Sequence, residues 1–366
     1  MKTIVVSVTN DLVVDQRVHK VCTTLQEMGF SIHLVGRKLK NSLSIHRNYK
    51  TTRIKLLFNK GPLFYAEYNF RLFCFLLFTK KDILLSNDLD TLLPNFLVSK
   101  ICHKPIVYDS HELFTEVPEL IHRPRIQKTW LTIEQFIFPK LKDIFTVCFS
   151  IADYYEKKYH VALNILRNVP VSVNETNTVD HEILSFIENK QAVIYQGAVN
   201  IGRGIELMID VVSQMENTVL CVFGDGDIYD KIAVKIKEAD MEDKVLLYGK
   251  VPPKDLKSIT PLFDVGLSLE ENLGMNYKYA LPNKLFDYIH AEIPCLVSNL
   301  PEMKHLVKAY NVGEVVDTKS IKSIVVTLQK LITNKNDYKE SFILAKQDLN
   351  WEKESEVIKQ VYSKFL

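Results

Sequence analysis

Short apolar runs alternate along this chain with longer stretches whose apolar residues recur at helical spacing. In the first half, residues 3–8, 31–35, 82–86, 105–109 and 144–148 read as strands, and 161–166 closes the series. Helical stripes lie between them. Val18, Val21, Cys22, Leu25 and Met28 share one face, with Gly29 as the stop. Leu89, Leu92, Leu93, Phe96, Leu97 and Ile101 mark a second stripe, and a further helix starts near Ser150. Residues 167–170 read as a break. The second half repeats the pattern, with strands at 192–196, 218–223, 244–248, 264–269 and 294–297. Ile205, Met208, Ile209, Val212 and Met215 mark the helix after the first of these. Such alternation implies an α/β fold, with parallel sheets covered by helices on both faces. The polar stretch 174–189 separates the halves, and Val357, Ile358, Val361, Tyr362 and Leu366 outline a last amphipathic helix.

Length and composition narrow this further. The 366 residues suffice for two domains, and 47% hydrophobic with 25% charged residues is globular rather than disordered. A net charge of +2 is too balanced to argue for nucleic acid. Cys22, Cys74, Cys102, Cys148, Cys221 and Cys295 show no Cys-x-x-Cys spacing and lie mostly in apolar runs. They read as buried thiols in a reducing, cytoplasmic setting. The N-terminus reads as a first strand, not a signal peptide. The run 72–78, bounded by Arg71 and Lys80-Lys81, is too short to span a bilayer and reads as a buried helix.

The most informative segment is 280–294. Pro282 reads as a first-turn proline, and Lys284 and Asp287, three apart, share one face at the helix start. A cation, a carboxylate and free backbone N–H groups at a strand-to-helix crossing suit a sugar nucleotide. The same residue types also suit an ordinary capped amphipathic helix. In the turn 197–204, Gly202 and Gly204 let backbone N–H groups approach an anion, and Arg203 adds a planar donor fork; a simple tight turn has the same needs. Gly202-Arg-Gly204 and Gly224-Asp-Gly226 each lack the third glycine of a dinucleotide fingerprint, which disfavours a nicotinamide dehydrogenase. His111, flanked by Asp109 and Glu112, follows a strand at the end where open sheets bind ligands. Asn10 and Asp11 follow the first strand, where Asp15 and Arg17 cap and anchor the next helix. Asn87 and Asp88 close another strand and either line a cleft or cap a helix. No metal-ligand spacing is evident.

The segment 282–294 resembles the C-terminal donor motif of retaining family 4 glycosyltransferases of the bacterial polysaccharide-biosynthesis type, with Asp287 where Glu is usual. The similarity is weaker at 192–210 and 105–112. It implies the GT-B arrangement: two Rossmann-like doubly wound domains facing a cleft. Residues 1–170 would form the acceptor-side domain and 171–350 the nucleotide-sugar domain. Residues 351–366 would form a C-terminal helix crossing back to the first domain. By resemblance Asp287 contacts the nucleotide ribose, and Arg203 stands at the usual Lys place and binds the diphosphate, while Ala198 stands at the usual Arg place. Gly202, Gly204, Gly224, Asn283, Lys284 and Leu285 join the donor-binding set, and Lys250 lies in the turn that edges the base. His111 would hydrogen-bond the donor sugar and, with Arg203 and Lys284, make up the catalytic set. Glu112, Asn10, Asp11, Asn87 and Asp88 would serve the acceptor side. Tyr279 replaces the first of the family's usual glutamate pair, for which Glu270 or Glu271 could substitute; Glu271 is placed in the donor set. Glu292 also replaces the usual glycine.

The implied reaction moves a sugar from a nucleoside-diphosphate sugar to a glycan or lipid-linked glycan hydroxyl, with retention and without cofactor or metal. Phe64, Tyr65, Phe70, Arg71 and the basic stretch 122–128 are compatible with peripheral contact at the inner membrane face. Two alternatives bind the same donor: a GT-B sugar-nucleotide epimerase, and a catalytically degenerate sugar-nucleotide-binding subunit.

Overall fold

The computed structural model describes residues 1–13, 15–172 and 177–366. Val14, in the first expected loop, and residues 174–176 of the expected polar separator lie outside the described residues. The chain divides into two compact units, Met1–Asn168 with Glu354–Leu366, and Val169–Lys353.

Unit 1 is built on seven parallel strands: β1 (Thr3–Asp11), β2 (Ser31–Lys38), β3 (Lys50–Lys55), β4 (Ile83–Asn87), β5 (Ile106–Ser110), β6 (Asp143–Thr146) and β7 (Asn164–Ile165). Their order is β3-β2-β1-β4-β5-β6-β7. The apolar runs fill the central strands, and β4 is buried at every position. The order reverses between β1 and β4, so the carboxyl ends of these strands open a crevice where such sheets take ligands. The helix Gly61–Phe78 lays Tyr68, Leu72 and Leu76 on Val5, Val35 and Leu84, while Phe78 is 85% exposed. Near the chain end, Tyr362 stacks on Phe145 and meets Phe30 edge-on, and Lys2 Nζ donates to the carbonyls of Phe365 and Leu366.

Unit 2 carries six parallel strands: β8 (Gln191–Gln196), β9 (Thr218–Phe223), β10 (Val245–Gly249), β11 (Val265–Ser268), β12 (Cys295–Ser298) and β13 (Gly313–Val316), in the order β10-β9-β8-β11-β12-β13. Here the reversal lies between β8 and β11, which places the turn after β8 and Glu270 after β11 side by side.

Several local expectations change. Strands β3 and β13 are unforeseen because both lie at sheet edges, and Lys-Thr-Thr-Arg-Ile-Lys of β3 has no apolar run to announce it. Pro282 is the cap before the helix Asn283–His290 and not its first residue. The loop after β11 contains a short helix, Met275–Lys278, and the polar separator contains His181–Ile187. All six cysteines are free; Cys22, Cys148, Cys221 and Cys295 are buried, and Cys74 and Cys102 partly so. Among the described residues no helix is long and apolar enough to cross a membrane.

Candidate active site

The turn after β8 is held by backbone contacts that require glycine. Gly224 has φ +151°, and a Cβ there would lie 1.8 Å from the Gly197 carbonyl oxygen. Gly204 has φ +73°, and its Cβ would lie 2.0 Å from the Leu269 carbonyl oxygen. Gly204 caps the helix Ile205–Val212, so the turn delivers Arg203 beside a helix N-terminus. The Arg203 guanidinium lies over the Tyr277 ring, 4.9 Å from its centroid, and the Tyr277 hydroxyl donates to the Ile201 carbonyl at 2.9 Å. Arg203 Nε is buried with no hydrogen-bond partner among the described residues.

Lys284 enters the same space from the first turn of Asn283–His290. Its Nζ donates to Glu270 Oε1 at 2.8 Å and stands 3.9 Å from the Tyr195 ring centroid. Ser268 Oγ donates to Glu270 Oε2 at 2.7 Å, and Arg203 Nη1 lies 3.9 Å from Glu270 Oε1. Glu270 is 1% exposed and Lys284 7%. Burial pushes the Lys284 ammonium down to about 8, with Glu270 opposing and Arg203 reinforcing the shift. Burial raises the Glu270 carboxyl, but Lys284, Ser268 and Arg203 together hold it below its ordinary value. Two cations thus share one carboxylate, leaving a buried excess positive charge at a glycine turn, an arrangement suited to an anion.

Asp287 is oriented by a short relay. Thr260 Oγ1 donates to Gln196 Oε1 at 2.9 Å, and Gln196 Nε2 donates to Asp287 Oδ2 at 2.8 Å. A cavity of about 230 Å³ opens beside Gly197, lined by Ala198, Phe223, Gly224, Val251 and Leu256, with Asp225 and Lys250 also on it. Lys250 Nζ pairs with Asp225 Oδ2 at 2.9 Å. Asn283 is exposed, whereas the Leu285 side chain is fully buried and only its backbone can meet a ligand. The segment after β11 turns Glu270 inward and leaves Glu271 exposed, its backbone N–H bonded to the Gly202 carbonyl. The carboxylate facing the cations is therefore Glu270, one of the two candidates that the resemblance left open.

In unit 1, His111 follows β5 and is clamped by two carboxylates. Its Nδ1 lies 3.1 Å from Asp88 Oδ2 and its Nε2 lies 3.2 Å from Asp109 Oδ2, while its backbone N–H donates to Asp88 Oδ1. Burial alone would lower the imidazole, but Asp88 and Asp109 raise it well above its ordinary value. Asp109 in turn accepts two hydrogen bonds from Arg17, at 3.0 and 2.7 Å, and Arg17 also donates to the Leu166 carbonyl. Burial disfavours the Asp109 carboxylate, yet Arg17 and His111 hold it far below the usual range. Arg17, expected as a helix anchor, is therefore part of the His111 cluster; a charged residue inside an apolar stripe was the available signal.

The other unit 1 candidates are tied down locally. Asn10 Nδ2 donates to Asp15 Oδ2, Asp11 accepts from Ser42 Oγ, and Asn87 Nδ2 donates to the Ser7 carbonyl. Asn87 Oδ1 is buried without a partner among the described residues. The Glu112 carbonyl accepts from Ser110 Oγ at 3.0 Å. Among the described residues, no three or more His, Cys, Asp or Glu side chains are grouped to hold a metal.

Residues 176–348 match the family model of the glycosyl transferases group 1. No curated protein sequence matches the chain. Solved structures of similar fold include sucrose-phosphate synthase from Thermosynechococcus elongatus, with 14% identity, TM-score 0.81 and coverage of 100% of this chain and 99% of that one. Anabaena HepE in complex with UDP-glucose shares 12% identity with TM-score 0.72, covering 100% and 99% of the two chains. WaaG, a glycosyltransferase involved in lipopolysaccharide biosynthesis, shares 14% identity with TM-score 0.70 over 99% of each chain. At these identities the likeness to solved structures establishes the fold.

Proposed function

From the match of residues 176–348 to the family model of the glycosyl transferases group 1, we propose that this GT-B chain moves a sugar from a nucleoside-diphosphate sugar to a hydroxyl of a glycan or lipid-linked glycan, with retention of configuration. The observation that carries the reading is the sharing of Glu270 by Lys284 and Arg203 at the glycine turn. A diphosphate leaves as an anion, so its stabilisation is the main catalytic need. The incoming diphosphate competes with Glu270 for both cations and restores Lys284 to full charge. These cations, with the helix N-termini, serve without a metal in this scheme. Asp287 accepts from the ribose hydroxyls while Gln196 holds its other side. A protein of similar fold, HepE, is solved with UDP-glucose bound, which supports a nucleotide-sugar donor here.

His111 is assigned a binding role. An imidazolium flanked by Asp88 and Asp109 has no free lone pair for a proton, and donates to a sugar hydroxyl only by giving up or sharing one of its two carboxylate contacts. The acceptor proton passes instead to the leaving phosphate on the same face. Contact of unit 1 with a membrane surface would use Phe70, which is 69% exposed, and the exposed Arg123 and Arg125; Phe64, expected to contribute, is buried at 5% and cannot.

A thermal-shift screen against UDP, GDP, ADP and their sugar conjugates tests the donor assignment. At least one conjugate should raise the melting temperature, and Arg203→Ala should weaken binding of the matching nucleoside diphosphate by roughly 1.5–3 kcal/mol. NMR of the turnover product should show retained anomeric configuration. No response to any nucleotide, or formation of a 2-epimer without transfer, would overturn the reading.

A further inference from the structure

Two polar groups near the carboxyl ends of unit 1 strands have hydrogen-bonding capacity left over. Arg37, near the end of β2, has its Nε buried and without a partner among the described residues. Its guanidinium lies over the Phe64 ring, 4.8 Å from the centroid, which fixes its plane. Asp11, the residue opposite it on β1, is approached by Arg53 at 3.7 Å. Asp90, in the first turn after β4, is 6% exposed; its Oδ2 accepts from Thr9 Oγ1 at 2.6 Å, but its Oδ1 is buried and unpaired among the described residues. Asn69 Nδ2 donates to the carbonyls of both Tyr65 and Asp90 at 2.9 Å, bringing these two backbones to one side chain. The Phe64 ring under Arg37 lies 4.8 Å from the Tyr65 ring, so Arg37, Tyr65 and Asp90 are grouped as neighbours.

Aromatic rings flank this group. The half-buried Tyr65 and Phe114 rings each meet Trp130 edge-on, at 5.1 and 5.2 Å. A planar donor, a carboxylate acceptor and a phenol beside aromatic faces match a pair of neighbouring sugar hydroxyls and the apolar face of a pyranose. The sign of the local field decides between sugar classes. Around Tyr65 the carboxylates of Asp90, Glu112 and Glu119 outnumber the one guanidinium of Arg37. A phosphate or uronate would meet net repulsion there.

We propose that Arg37, Tyr65 and Asp90 form a subsite of unit 1 that holds an uncharged saccharide through its hydroxyl groups. It rests on the reading of glycosyl transfer, for which it supplies the acceptor class: a neutral sugar unit at the end that receives the new linkage. Saturation-transfer NMR on the full chain tests it, with and without the nucleoside diphosphate that shifts the melting temperature most. The probes are the methyl glycosides of glucose, galactose and mannose and free N-acetylglucosamine, against glucose 6-phosphate and glucuronate. At least one neutral probe should receive saturation, and Asp90→Asn and Arg37→Met should each lower its affinity about tenfold. Tyr65→Phe, the mildest change, should act in the same direction, and nucleoside-diphosphate affinity should stay unchanged in all three variants. The proposal falls if no neutral probe binds, if the charged probes bind at least as well, or if binding survives all three substitutions. Nucleotide binding without neutral-sugar binding sinks this proposal alone, whereas absence of nucleotide binding sinks the donor assignment.

Discussion

Lys284 and Glu270 form a buried ion pair at 2.8 Å in which the cation, more than the carboxylate, bears the cost of burial. Glu270 keeps its charge because Ser268 and Arg203 also stabilise it, while Lys284 is pushed down to about 8 by desolvation and by Arg203. A site of this kind is poised to exchange an internal carboxylate for an external anion.

A pH dependence follows. With its folded pKa near 8, below its ordinary value, Lys284 is protonated in the neutral range and loses its proton as pH rises through about 8. Nucleoside-diphosphate affinity should be level below that point and decline above it. Calorimetry on either side of pH 8 should show the decline in the wild type and not in Lys284→Met. In the window above about 8 the unfolded chain holds more protons at this position, so its contribution to folding stability rises with pH there while ligand affinity falls.

Asp287 should discriminate sugars of the nucleotide. Its carboxylate is aimed by Gln196, itself held by Thr260. Asp287→Ala should bind ribo- and deoxyribonucleoside diphosphates about equally, whereas the wild type should prefer the ribo form by roughly tenfold. Competition calorimetry with the two forms measures this, and an unchanged preference would exclude the ribose role.

His111→Ala should depress turnover while leaving diphosphate affinity nearly intact, since its partners Asp88 and Asp109 belong to unit 1. The raised folded pKa means that His111 contributes stability that is full below its ordinary value of 6.5 and is lost as pH rises through the folded value. Nitrogen chemical shifts of the ring should report an imidazolium at neutral pH.

Arg17→Met should destabilise the chain by roughly 3–5 kcal/mol, because it leaves the Asp109 carboxylate buried without its bidentate partner. Denaturant unfolding measures the loss. Arg17→Met with Asp109→Asn should recover part of it, since no unpaired charge then remains.

Gly224→Ala should cost at least about 2 kcal/mol, since a Cβ would strike the Gly197 carbonyl and the backbone sits at positive φ. Asp225→Ala, next to it on the surface, should be near neutral, as its pairing with Lys250 is solvent-exposed. Thermal unfolding of the two variants separates a backbone requirement from a side-chain one.

Much of this molecule was legible in one dimension. The apolar runs of β1, β4, β8 and β9 mark buried parallel strands because both their faces must be covered. The spacing of Lys284 and Asp287 puts them on one helical face whatever surrounds them. Edge strands β3 and β13 escaped because half of their surface meets water and no apolar run is required. The inward turn of Glu270, the pairing of Arg17 with Asp109 and the spare valences of Arg37 and Asp90 were decided only in three dimensions. Helical and strand periodicity is a property of neighbours along the chain. Which charge finds which partner depends on which strand ends adjoin, and that is set by sheet order.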